Sequence, residues 1–460
     1  MSSHVLTHWE PEDPKFWEES GARIANRNLW ISIPALMLAF SIWMLWSVVV
    51  VNLDKVGFDL TKNQMFWLTA VPALSGATLR IFYSFLVPIF GGRKWTVIST
   101  LSLLIPAIGM GLALQNPDTG FGTLVVLAAL CGFGGGNFSS SMANISFFFP
   151  KAKKGTATGL NAGIGNLGVS VVQFVVPLVI SAAMVGVGGD GLSFTEANGQ
   201  TKTLWLQNAG FVWVPFIILS AVAAWFGMND IASAKASFAD QAVIFKRKHN
   251  WLMCWLYIGT FGSFIGFSAG LAMLTKAQFP DVNPTQYAFL GPLVGALTRP
   301  VGGWVSDKLG GARVTLWTFA LMILAVLGVM AFLPGEQGGG NFYGFLAMFI
   351  ALFALTGVGN GSTFRMIPVI FLTERSREAG DSPEAQKQAV LDGNKEAAAV
   401  LGFSGAIGAY GGFFIPKSFG TSIEMTGGVD AALWGFVAFY LSCLVVTWWY
   451  YSRRNAEMPC

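Results

Sequence analysis

The chain has 460 residues, 53% of them hydrophobic and only 11% charged, with a mean hydropathy of +0.57. An average soluble domain is about 25% charged, so a water-soluble chain of this length would lack the polar surface to cover its core. That excludes a soluble enzyme and a disordered chain, and a net charge of +4 is too slight to suggest nucleic acid or another polyanion as partner. Cys131, Cys254, Cys443 and Cys460 show no CxxC spacing, and His4, His8 and His249 lie in polar flanks. No metal centre, disulfide framework or cofactor is expected from them. The composition is that of an integral membrane protein.

Residues 1–28 are polar and acidic, unlike a cleavable signal peptide. Within them Asp13-Pro14, followed by Phe16, Trp17, Ile24 and Trp30, predicts a capped amphipathic helix on the membrane surface. Twelve apolar runs follow, each near the roughly 20 residues needed to cross the hydrocarbon. Six fall in residues 29–227: Leu29–Asn52, Met65–Phe90, Trp95–Leu114, Thr123–Phe149, Thr158–Met184 and Gln207–Gly227. A polar linker occupies 228–250. Six more fall in 251–452: Trp251–Leu274, Tyr287–Val305, Val314–Leu333, Phe342–Phe371, Ala397–Phe419 and Ala431–Tyr451, before a tail at 453–460. The runs are too long and too continuous for barrel strands.

Basic residues orient the chain. With the N-terminus inside, only Lys55, Lys62, Lys202, Lys276 and Lys417 of the 28 fall outside, and Arg80, Arg299 and Arg365 fall within spans. All the others lie on the inner side, which predicts both termini in the cytoplasm.

The chain is also a duplication. Setting GATLR (from Gly76) on GALTR (from Gly295) places Arg80 on Arg299 and Gly91-Gly92 on Gly310-Gly311. A slightly longer slip sets Gly132, Gly134 and Gly136 on Gly357, Gly359 and Gly361. Two six-helix halves of the same orientation follow, the repeat logic of many secondary transporters. After the eighth span, GGWVSDKLGGAR (from Gly302) resembles the GxxxDxxGxR/K signature of the major facilitator superfamily. The first copy, SFLVPIFGGRK from Ser84, has Pro88 where the aspartate would stand. The expected fold is therefore all-α: twelve transmembrane helices in two pseudo-symmetric halves.

GIGNLG, from Gly163 to Gly168, matches a dinucleotide-binding pattern but lies inside a span with no preceding strand. Gly163, Gly165 and Gly168, with Gly408 and Gly411 of the eleventh span, read instead as close-packing positions. Such smooth faces would also let helices slide during gating.

An arginine at mid-span costs roughly 2.5–3.5 kcal/mol on insertion scales. Arg80 and Arg299 each stand about 16 Å before the Gly-Gly that ends their span, beyond the reach of a snorkelling side chain. Arg365 is closer to its span end, and snorkelling suits it. No Asp, Glu or His falls at mid-membrane to pair with Arg80 or Arg299. The missing counter-charge points to an anionic cargo, for which guanidinium offers a planar fork. The shortage of proton carriers favours anion exchange over proton symport.

GRKW, NISFFFPK, GIGNLGVS, YIGTFGSFIGFSAG, KAQFPDV, GNGSTF and GAYGGFFIPKSFG together resemble the nitrate/nitrite porter family of that superfamily, along essentially the whole chain. The resemblance implies a non-enzymatic antiporter of nitrate and nitrite in the bacterial cytoplasmic (inner) membrane. It implies an anion held between Arg80 and Arg299, an aromatic sandwich of Phe138 and Phe261, and polar contacts from Tyr257 and Asn166. It assigns Arg365 no role. The expected partners are nitrate, nitrite and the lipid bilayer, with no obligate protein partner. Proton-coupled nitrate symport, antiport of another small oxyanion, and a non-transporting membrane sensor are the rival readings.

Overall fold

Caps and glycines set where the helices start and stop. The computed structural model describes residues 4–183, 189–196, 199–232, 234, 242–335 and 338–460. Met184, the expected end of the fifth span, and linker residues 235–241 lie outside these. Among the described residues ten helices are long and apolar enough to cross a membrane, and Pro14–Trp43 with Trp46–Val56, bent by 43°, makes an eleventh. The eighth expected span is the Leu290–Leu309 helix, whose apolar content is diluted by Gly291, Gly295, Pro300, Gly302 and Arg299. Two short sheets supplement the helices: a Leu192–Thr195/Thr201–Leu204 hairpin and a parallel pairing of Val5–Leu6 with Asp230–Ile231.

The helix that carries Arg80, Lys62–Phe90, opens on a capping box in which Thr61 and Gln64 satisfy each other's backbone N–H. It stops at Gly91, φ +88°, and the Arg299 helix stops at Gly310, φ +89°. A Cβ is strained in that region, so each repeat ends its arginine helix with the same glycine device.

Three expectations change. The N-terminal segment is not a separate surface helix. Asp13 does cap it, accepting from the Lys15 amide at 3.0 Å, but nothing breaks the helix thereafter and it runs on to Trp43. Trp17 is buried with Phe148, Phe149 and Ala157 rather than laid on lipid. His249 is not in a solvated flank: it is 2% exposed, its Nδ1 3.0 Å from the Tyr451 hydroxyl. The tenth and eleventh helices, Phe342–Glu378 and Pro383–Thr426, outrun their predicted spans. Their polar ends are good helix formers, and Arg247 and Arg375 there pair with Glu378 and the buried Glu396.

The chain forms two compact units, Met1–Ala236 with Ser268–Leu290, and Ser237–Phe267 with Gly291–Cys460. The outer part of the seventh span thus groups with the first unit. There Lys276 donates to the Val51 carbonyl at 2.7 Å and pairs with Asp54. Gln173 Nε2 donates to the Ser268 carbonyl at 2.8 Å, and Ser170 donates to the Phe289 carbonyl at 3.0 Å.

Candidate functional site

In the first unit the site is built around Arg80, 1% exposed. Its Nε donates to the Gly135 carbonyl at 2.8 Å. The guanidinium carbon lies 4.6 Å from the Phe138 ring centroid, 4.9 Å from Trp43 and 5.9 Å from Phe40. Ring faces carry negative charge density, so a desolvated cation gains about 2 kcal/mol or more from such a stack. Aromatic faces stabilise the cation without a carboxylate's charge, which would compete with an incoming anion.

In the second unit Arg299 is 9% exposed, and its Nη2 donates to the Tyr257 hydroxyl oxygen at 3.4 Å. Its Nη1 is buried with no hydrogen-bond partner among the described residues. Leaving such a donor unsatisfied is costly, so a ligand acceptor there is favoured. Phe364 lies 5.3 Å from the guanidinium carbon. Tyr257 and Phe261 stack at 5.4 Å and 20°, on one face as their spacing predicts. Gly408 makes room for them: a Cβ there would come within 2.8 Å of Tyr257 Cδ1 and 3.4 Å of Phe261 Cδ1.

The structure therefore brings Phe138 to Arg80 and Tyr257 to Arg299, with Phe261 stacked on Tyr257. Asn166 is buried on the Lys151–Ile180 helix, its Oδ1 unsatisfied, and among the described residues it makes no hydrogen bond to either arginine. Along the same helix a Cβ at Gly165 would meet Leu36 at 2.7 Å and one at Gly168 the Met37 carbonyl at 2.1 Å, whereas Gly163 faces open space. Gly411 lies against Gly262, with 2.4 Å from its would-be Cβ to the Gly262 Cα.

Sequence reasoning missed Phe40, Trp43 and Phe364. Each reads as one apolar residue among many; only the facing arginine distinguishes it. Arg365 also finds its place, paired with Asp307 of the second loop signature. In the first copy Pro88 replaces that aspartate, and the signature's Arg93 pairs with a carboxylate from beyond the sixth span. Its backbone N–H donates to Asp230 Oδ1 at 2.8 Å and its Nε lies 3.4 Å from Oδ2. Among the described residues no group of three or more His, Cys, Asp and Glu is placed to hold a metal ion.

Comparison with known proteins places this architecture. The family model described as Major Facilitator Superfamily matches residues 31–381. The chain belongs to the Major Facilitator Superfamily. As a superfamily member it is a multi-pass membrane transporter, not an enzyme. It is 54% identical to the nitrate/nitrite transporter NarU of Escherichia coli (strain K12), over 99% of this chain and 97% of that protein. It is 43% identical to the probable nitrate/nitrite antiporter NarK2 of Thermus thermophilus, over 99% and 98%. A nitrite extrusion protein of Bacillus subtilis (strain 168) is 25% identical over 94% and 96%. The superfamily fold is also seen in the crystal structure of a D-xylose-proton symporter, with a TM-score of 0.63 at 13% identity, covering 92% of this chain and 97% of that one.

Proposed function

We propose that the protein transports nitrate and nitrite across a bacterial cytoplasmic membrane by obligatory exchange, with Arg80 and Arg299 each giving a guanidinium to the anion. The observation that carries this reading is the pair of buried, repeat-related arginines packed on aromatic rings, Arg299 with one N–H group unsatisfied. The names of the relatives at 54% and 43% identity support the choice of nitrate and nitrite.

Phe138 and Phe261 present faces to a flat, delocalised anion. Tyr257 stands beside the Arg299 guanidinium, accepting from it, and in this reading its hydroxyl is the polar contact to the anion. Asn166 supplies its amide end, since a half-turn of the group exchanges oxygen for NH₂. Residues 29–227 and 251–452 act as the two halves of the carrier, with both termini in the cytoplasm. Without an anion, two buried positive charges repel each other and oppose the occluded state. A bound anion offsets that repulsion, so only the loaded carrier reorients. Gly165, Gly168, Gly408 and Gly411 give that movement close, smooth helix faces, and Gly163 adds open space on its own helix.

The test is counterflow in proteoliposomes. Vesicles loaded with nitrite take up nitrate rapidly, and vesicles loaded with an inert salt take up almost none. One-for-one exchange moves no net charge, so a membrane potential leaves the rate unchanged. Nitrate accumulation driven by a pH gradient without internal anion would overturn exchange in favour of proton symport.

A further inference from the structure

The geometry points to Trp43 as a positioning residue for substrate binding: its indole, keyed into a glycine slot, fixes the orientation of the Arg80 guanidinium. The inference rests on the reading of Arg80 as an anion-binding group and adds a residue that neither composition nor motif singles out.

Trp43 is 0% exposed, and its Nε1 donates to the Pro72 carbonyl at 2.7 Å. That bond fixes the indole within its plane. The slot that receives the ring is made by Gly76 and Gly135, from two different helices. A Cβ at Gly76 would lie 2.6 Å from the indole Nε1, and one at Gly135 would lie 2.7 Å from its Cε2. No real Cβ tolerates such approaches, so only glycine at both places admits the indole. Gly135 serves twice, because its carbonyl also accepts from Arg80 Nε at 2.8 Å. The arginine is thereby held at its Nε edge by the same backbone that seats the ring beneath it. The guanidinium carbon stands 4.9 Å from the indole, and Phe40 buttresses the indole, its ring centroid 5.5 Å away. One edge and one face of the guanidinium are thus set by rigid groups, which pre-pays the ordering that binding would otherwise cost.

The indole itself need not touch the anion. Its loss costs affinity through the arginine, which gains freedom to swing away from the bidentate geometry. Trp43→Phe keeps an aromatic face but removes the N–H pin and part of the platform; Trp43→Leu removes the face altogether.

The test uses the full chain in nitrite-loaded proteoliposomes and measures nitrate uptake against external nitrate. Trp43→Phe is expected to raise KM a few-fold, and Trp43→Leu on the order of ten- to thirtyfold, the scale of a lost desolvated cation–π contact. For both, kcat stays within about twofold of the unsubstituted protein. The graded order, with Phe partly rescuing Leu, marks positioning; a packing defect would lower kcat and the yield of active carrier without grading KM. If Trp43→Leu fails to fold, the more conservative Trp43→Phe decides alone. An unchanged KM in folded Trp43→Phe, or a fall in kcat alone, would overturn the inference. Arg80→Lys run alongside separates the two levels. Lost exchange there with normal KM in both Trp43 variants removes only the role of the indole. Normal exchange in Arg80→Lys removes the reading beneath it as well.

Discussion

Replacing Gly411 with alanine sets one methyl group against backbone. The new Cβ would stand 2.4 Å from Gly262 Cα, 2.6 Å from its carbonyl carbon and 2.7 Å from its carbonyl oxygen, against 3.4–4 Å for ordinary contact. No rotamer change relieves this, because the obstacle is the neighbouring helix itself; the two helices must part by about 1 Å. Overpacking of this kind costs about 1–3 kcal/mol. The higher helix propensity of alanine returns up to about 1 kcal/mol. Gly163→Ala and Gly402→Ala are the controls, since nothing lies within 4 Å of a Cβ at either position. They keep the propensity gain and meet no obstacle. The assay is thermal unfolding of the purified protein in one detergent, with about 1 °C expected per kcal/mol for a chain of 460 residues. Gly411→Ala melts lower than the unsubstituted protein, and the two controls melt level with it or higher. A Gly411→Ala protein that melts with the controls would refute the packing argument.

Arg80→Lys and Arg299→Lys each keep the charge but lose the planar fork, so exchange flux falls to near background in protein that still folds. Normal flux from either variant would remove that arginine from the anion site. Tyr257→Phe removes a donor to a charged group, about 1.5–3 kcal/mol, which raises KM roughly ten- to 150-fold; an unchanged KM places the phenol elsewhere. Arg365→Gln breaks a pair with Asp307 whose side chains are 43% and 59% exposed. Surface pairs of this kind are worth about 0–1 kcal/mol, so flux and melting temperature change little. A loss as severe as that of Arg80→Lys would show that Arg365 acts in gating.

Much of this architecture is legible in the sequence because lipid imposes strong rules. Apolar length marks a span, and a mid-span arginine far from either end marks a functional position. The repeat doubles the signal, and it reappears in the paired left-handed glycines at 91 and 310. What stays hidden is whatever depends on partners distant in the chain. Trp43 is one of 17 tryptophans until Arg80 is seen above it. Asp230 reads as linker charge until it is seen paired with Arg93 of the first loop signature. His249 reads as a flank residue because burial by Tyr451 arises from the far end of the second half. Helix ends are hard for another reason: polar helix formers such as Glu374–Glu378 extend a helix past the hydrocarbon without any hydropathy signal.

The parallel pairing of Val5–Leu6 with Asp230–Ile231 has a consequence for biosynthesis. His4, whose ring nitrogen meets the Met228 carbonyl, is separated from it by 224 residues of chain. At ribosomal speeds of about 5–20 residues per second, the amino terminus waits roughly 10–45 s for its partner to be made. By then all six spans of the first half have been synthesised. The short strand pair therefore closes late, as a seal on a finished half rather than a nucleus for it. A tag fused ahead of Val5 would sit beside the Arg93–Asp230 pair, whereas one after Cys460 would leave that seal untouched.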